Sequence, residues 1–186
     1  MKNRLIIGLF CCIALIQLIT PLSMIIKRES VLRNGEQFKF KTAPVDPYDA
    51  FRGRYVALRI EGDKVPVPQG MGLSHGQSVY ALISTNEEGF AKFATLATNK
   101  PAGTPFIQAK VRYVLKDKVQ LDLPIDRYYM EEKAAPAAEA AYREHSGSDK
   151  RDAYVLVRVK DGFAVIEALY VGGQRIEDAV KSAAKP

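Results

Sequence analysis

The sequence predicts a mainly β fold: a small antiparallel barrel or sandwich of about eight or nine short strands with one short helix, preceded by a single N-terminal transmembrane helix. Three observations predict it. An uncharged, mostly aliphatic run opens the chain from Leu5 to Ile26. From Glu29 onward, short β-branched and aromatic runs alternate with Gly, Pro and Asx punctuation roughly every eight to twelve residues. Only Pro136 to His145 has the composition of a soluble helix.

The 186 residues hold one ordinary domain and an appendage, because a single core occupies about 100–150 residues. The expected division is a signal-anchor or transmembrane segment over 1–28, a β-rich exported domain over 29–178, and a disordered tail over 179–186 that lacks apolar periodicity. At about 1.5 Å per helical residue, Leu5 to Ile26 is long enough for a hydrocarbon layer of ~30 Å. Lys2 and Arg4 ahead of the run would also suit a cleaved secretory signal. An uncleaved anchor is preferred, because Pro21 and the bulky Leu22, Met24, Ile25 and Ile26 stand where a signal peptidase needs small residues. Cys11 and Cys12 read as apolar filler, since Leu9 and Phe10 before them are too large for a lipid-attachment box.

Orientation is a contest between two signals. Lys27, Arg28 and Arg33 follow the span while Lys2 and Arg4 precede it, which opposes export by the positive-inside count. The very short N-terminal tail and the absence of cysteine after Cys12 favour export. The expectation is therefore a bacterial cytoplasmic (inner) membrane protein with its domain in the periplasm or outside the cell. Charge excludes one class of partner. Setting aside Lys2, Arg4, Lys27 and Arg28, the 27 basic residues become 23 against 21 acidic ones, a net +2 that gives no basis for nucleic-acid binding.

The strands follow in order. Glu36 to Thr42 alternates Phe38 and Phe40 with polar residues, and Arg54 to Glu61 turns Val56, Leu58 and Ile60 to one face. Pro44 to Gly53 lies between them as an ordered loop, its prolines disfavouring helix. Gly62 to Gln77, rich in Gly and Pro, reads as a connection with at most an edge strand. Ser78 to Thr85 and Gly89 to Thr98 flank the hairpin signal Asn86-Glu87-Glu88-Gly89. Phe106 to Lys116 and Val119 to Leu123 form the next pair. Asp152 to Lys160 and Phe163 to Val171 meet at Asp161-Gly162, the strongest turn signal in the chain. A type I′ turn there sets Val157 opposite Ile166 and Val159 opposite Ala164. Gly172-Gly173 can reverse the chain once more. In the helix, Pro136 suits a first-turn position, Glu139 pairs with Arg143, and Ser146-Gly147-Ser148 stops it.

Two constellations could carry function. Asp46, Asp49, Arg52 and Arg54 stand beside Tyr55 at the mouth of a strand, and Arg127, Tyr128, Tyr129 and Glu131 lead into the helix. Asp residues before tight turns most often cap their own backbone, and paired tyrosines most often close a core edge. His75 and His145 have no metal-ligand spacing around them, and no metal site or cofactor is indicated. His145 reads as a cation complementing the helix C-terminus.

These two segments also carry a resemblance. Pro44-Val45-Asp46-Pro47, then Arg52-Gly53-Arg54-Tyr55-Val56-Ala57-Leu58-Arg59-Ile60, resembles the signature of the GDYXXLXY proteins, a family with no assigned activity. Gly53, Tyr55 and Leu58 match, whereas Arg54 stands in place of the family's Asp and Ile60 in place of its final Tyr. Asp126 to Tyr129 with Glu131 resembles the family's aromatic stretch before an acidic helix, and Ala153 to Ile176 its closing hairpin. The likeness covers roughly residues 30 to 178. It implies a membrane-tethered exported domain of bacteria, with multi-spanning membrane proteins as natural partners. The function expected is thus an interaction module that contacts an integral membrane protein, its oligomeric state open. The alternative is a periplasmic hydrolase or carbohydrate-acting enzyme using Asp46, Asp49 and Glu131, which would need one carboxyl protonated and another ionised.

Overall fold

A computed structural model describes residues 2–43, 55–68, 70–147 and 149–183. The expected loop that carries Asp46, Asp49, Arg52 and Arg54 lies outside the described residues.

The chain opens with one helix, α1 (Lys2–Asn34), that runs through the whole apolar stretch and past it. Residues Ile6–Asn34 form a helix long and apolar enough to cross a membrane, and its most apolar window has no buried residues. The boundary drawn at residue 28 falls inside this helix. Its last turn belongs to the body: Val31 is 3% exposed, and its carbonyl accepts the Gly35 N–H at 2.8 Å. Gly35 is required at the exit, because a Cβ there would stand 2.5 Å from the Val31 oxygen.

Two five-stranded antiparallel sheets form a nearly closed, barrel-like body. The first contains β1 (Glu36–Ala43), β3 (Arg59–Ile60), β10 (Tyr154–Lys160), β11 (Phe163–Val171) and β12 (Gln174–Arg175), in the order β12-β11-β10-β1-β3. The second contains β4 (Lys64–Pro66), β5 (Ser78–Thr85), β6 (Ala91–Ala97), β7 (Phe106–Val114) and β8 (Lys118–Asp122), in the order β4-β8-β7-β5-β6. Isolated bridges Lys39 to Phe90 and Ile107 to Gly162 join the two. The alternating faces of the strands supply the core, where Phe40 stacks on Phe93 at 5.3 Å and Phe40, Val79, Ile107, Val155 and Leu169 are fully buried. Phe38, Val56, Leu58 and Ile60 face inward as their alternation requires.

The hairpins form where turn chemistry placed them. Asp161 and Gly162 both have positive φ, 52° and 81°, and Val157 pairs with Ile166 and Val159 with Ala164. Asn86 closes its turn by accepting the Phe90 N–H on Oδ1 at 2.8 Å. β4 is an edge strand in the Gly- and Pro-rich connection, and β11 turns into β12 through Gly172-Gly173.

Among the described residues twelve strands appear rather than eight or nine, because several are only two or three residues long. The strand expected over Arg54 to Glu61 is split. β2 (Tyr55–Ala57) pairs with β9 (Arg127–Tyr129), the Leu58 N–H reaches the Asp126 carbonyl at 2.8 Å, and β3 then crosses to β1. Alternation fixes which residues point inward, and a chain that changes partners at Leu58 keeps the same alternation. The expected helix is α2 (Ala135–Ser146), ended by Gly147. The disordered tail expected from residue 179 is corrected through Ala183: α3 (Ile176–Ala183) begins on the fully buried Ile176 and rests Ala179 and Val180 on the core. These three positions are one helical face, and Glu177 and Asp178 suit the first turn.

Candidate functional site

The short β2–β9 ladder brings the two motif segments together. Tyr55 pairs with Tyr129, Val56 with Tyr128 and Ala57 with Arg127. Because strand side chains alternate, Val56 and Tyr128 enter the core while Tyr55, Tyr129 and Arg127 share the outer face. The two outer rings meet edge to face at 5.6 Å, and the Arg127 guanidinium lies 5.3 Å from the Tyr55 ring centroid. Asp126 Oδ2 accepts from Arg127 Nε at 3.1 Å, and this carboxylate holds the Arg127 pKa above its ordinary value. Tyr129 remains 60% exposed. The result is an outward aromatic pair with an ordered cation, the residue types that anchor protein interfaces.

Behind this face, the Tyr128 hydroxyl donates a hydrogen bond to Glu177 Oε1 of α3. Burial first, and the neighbouring Glu177 carboxylate second, push the Tyr128 pKa upward. The other oxygen, Glu177 Oε2, has no hydrogen-bond donor among the described residues, and Arg175 Nε stands 3.9 Å from it. Tyr128 therefore fastens β9 to the closing helix instead of facing a ligand. α2 backs the ladder as well, its Tyr142 hydroxyl donating to the Ala43 carbonyl at 3.0 Å.

Of the sequence-predicted residues, Tyr55, Arg127 and Tyr129 share one surface, and Tyr128 lies beneath it. Glu131 is exposed, and its carbonyl starts α2 by accepting the Ala134 and Ala135 N–H groups at 3.0 and 3.1 Å. Asp46, Asp49, Arg52 and Arg54 belong to the undescribed segment that leads directly into Tyr55. Among the described residues no group of three or more His, Cys, Asp or Glu could hold a metal ion. His145 pairs with a carboxylate, its Nδ1 lying 2.7 Å from Asp152 Oδ1, and His75 Nδ1 lies 2.6 Å from the Arg112 carbonyl. Sequence reasoning missed Glu177, at the start of α3, and Arg175, in β12 just before it, which reach the ladder only through the packing of the closing segment. It also missed Asp63, a buried acid held by Gln120 Nε2 at 2.9 Å with Arg59 Nε at 3.8 Å.

The family model for GDYXXLXY proteins matches residues 17–169. The chain belongs to the GDYXXLXY family. No curated protein and no solved structure matches it. The match begins at Gln17, inside the apolar part of α1, so the family includes the passage from that helix into the β body. It ends at Leu169, so the Arg175 and Glu177 support beneath the ladder lies beyond the GDYXXLXY match.

Proposed function

We propose that this GDYXXLXY protein is a tethered interaction module. α1 stays in a bacterial cytoplasmic membrane as an uncleaved signal-anchor, and the β body stands in the periplasm or outside the cell. The surface of Tyr55, Arg127 and Tyr129, together with the segment carrying Asp46, Asp49, Arg52 and Arg54, binds an extracytoplasmic part of an integral membrane protein.

The observation that carries this reading is the unbroken passage of α1 from apolar run to body. The residues just past Ile26 are helical, and the helix ends seated on the sheet through Val31 and Gly35. A cleaved leader has small residues and a dispensable exit at that point, whereas here the exit is part of the packing. The outer face of the β2–β9 ladder supports the second half. Arg127 is held in place by Asp126 and Tyr55, so little side-chain freedom remains to be lost on binding. The ladder also lies near the far end of β1, an eight-residue strand, so a partner would meet it roughly 25 Å beyond the end of α1.

A photoreactive residue at position 129, in cells making the full chain, tests this reading. The expected result is one dominant adduct with a membrane-integral protein, weakened at least about tenfold by Arg127→Ala, as an interface anchor would be. The same probe at Tyr113, an exposed position on β7, should give no such adduct. Equal labelling from both positions would refute the surface. Degradation of the body only after spheroplasts are lysed would refute the export.

A further inference from the structure

Where α1 leaves the apolar run it has company. Glu36 at the start of β1 pairs with Val159, and from there the β10–β11 hairpin runs back along the helix toward its N-terminus. Lys160 Nζ lies 3.4 Å from Ser30 Oγ, and Lys27 Nζ lies 4.5 Å from the centroid of the Phe163 ring. Lys27 is the residue immediately after Ile26, the last of the apolar run. Gly35 to Lys27 spans about 12 Å of helix, so the hairpin tip descends to the level at which that run ends.

The chemistry at this level is specific. Phe163 is 39% exposed with Lys27 over it. Lys27, Arg28 and Lys160 have no ion-pair partner among the described residues, while the nearby acids Glu29 and Asp161 are paired with Arg33 and Lys100 at 2.7 and 3.7 Å. Glu36 remains beside Val159, farther from the run. An exposed ring among unpaired cations at the end of an apolar helix is the composition that suits a lipid–water interface.

Resting on the reading of α1 as a membrane tether, we infer that the β10–β11 tip is a second membrane contact: Phe163 enters the interfacial layer and Lys27, Arg28 and Lys160 bind the phosphates of anionic lipids. The long lysine stems let the charge reach the headgroups while the ring stays in the less polar zone. The contact fixes the tilt of the body and presents the Tyr55 and Tyr129 surface away from the bilayer. It also gives a use to the bases after the span, whose number opposes the expected orientation.

The chain contains no tryptophan, so Phe163→Trp supplies a single reporter. Tyr113→Trp is its control, because the opposite end of β7 is the one that meets the hairpin, through Ile107 and Gly162. The full chain is reconstituted into phosphatidylcholine vesicles, with and without phosphatidylglycerol, containing lipids brominated near the headgroup. Brominated lipid should lower the emission at position 163 about twofold and leave position 113 unchanged. Phosphatidylglycerol should deepen the quenching, and the combined Lys27→Gln, Arg28→Gln and Lys160→Gln variant, or ~1 M salt, should remove that increment. Should Phe163→Trp unfold, Lys100→Trp on the adjoining loop reports the same contact. Vesicle-bound chain with unquenched tip reporters overturns the inference and leaves the tether standing. Quenching indifferent to phosphatidylglycerol overturns the headgroup contact, and a chain that fails to float with vesicles overturns both inference and tether.

Discussion

Tyr128 illustrates how a residue in a conspicuous motif can serve the fold more than the surface. The sequence marks it because it sits beside Arg127 and Tyr129, but alternation turns it inward, and its hydroxyl goes to Glu177. Replacing it with Phe should cost about 1–2 kcal/mol, since the Glu177 carboxylate loses its donor, and urea unfolding measures that cost. The pH dependence has a defined sign. The folded chain holds the Tyr128 proton more tightly than the unfolded chain, where the ordinary value is 10.0. Its contribution is fully present below that pH and is lost as pH rises above it. Tyr142 and Tyr154 are also shifted upward, by burial above all, so the decisive quantity is the difference between parent and Tyr128→Phe at pH 8 and pH 11. Parallel declines would refute a special role for Tyr128. The surface residues Tyr55, Arg127 and Tyr129 were legible because each lies in a dense local pattern. Glu177 was not, because it stands 49 residues from Tyr128 and only the packing of α3 brings it near.

Among the elements, legibility followed the range of the signal. The β10–β11 hairpin was readable to the residue pair because Asp161-Gly162 fixes both turn and register within four residues. The same logic located α2 and the Asn86 turn. The division of Arg54 to Glu61 into β2 and β3 was hidden, because it depends on which distant strand each half meets. α3 was obscured for another reason: its apolar face amounts to Ile176, Ala179 and Val180, too short a stripe to stand out from a polar tail. The hairpin turn carries a test of its own. A Cβ on Gly162 would lie 2.5 Å from a Phe106 ring atom, and the backbone there has φ of 81°. Gly162→Val should therefore destabilise the body by about 2–4 kcal/mol, through strain and overpacking together. Gly173→Ala, also at positive φ but with open space around it, should cost clearly less in the same unfolding experiment. Equal losses would mean that the Phe106 contact does not matter.

At the scale of the whole molecule, one continuous helix joins an apolar run to a nearly closed β body. Composition revealed both parts, but the sequence placed their boundary at residue 28 because Lys27 and Arg28 end the apolar run. The helix continues six residues further, through Asn34, because Val31 and Gly35 give it a seat on the sheet. Because the apolar run and the seat at Val31 belong to one helix, keeping or losing the run decides whether the body has a tether. The most direct test is the intact mass of the chain recovered from alkali-washed membranes of cells that make it untagged. A tethered protein gives the full-length species of 20.6 kDa in the membrane pellet. A shorter chain beginning at or near Lys27, released into the soluble fraction, would contradict it.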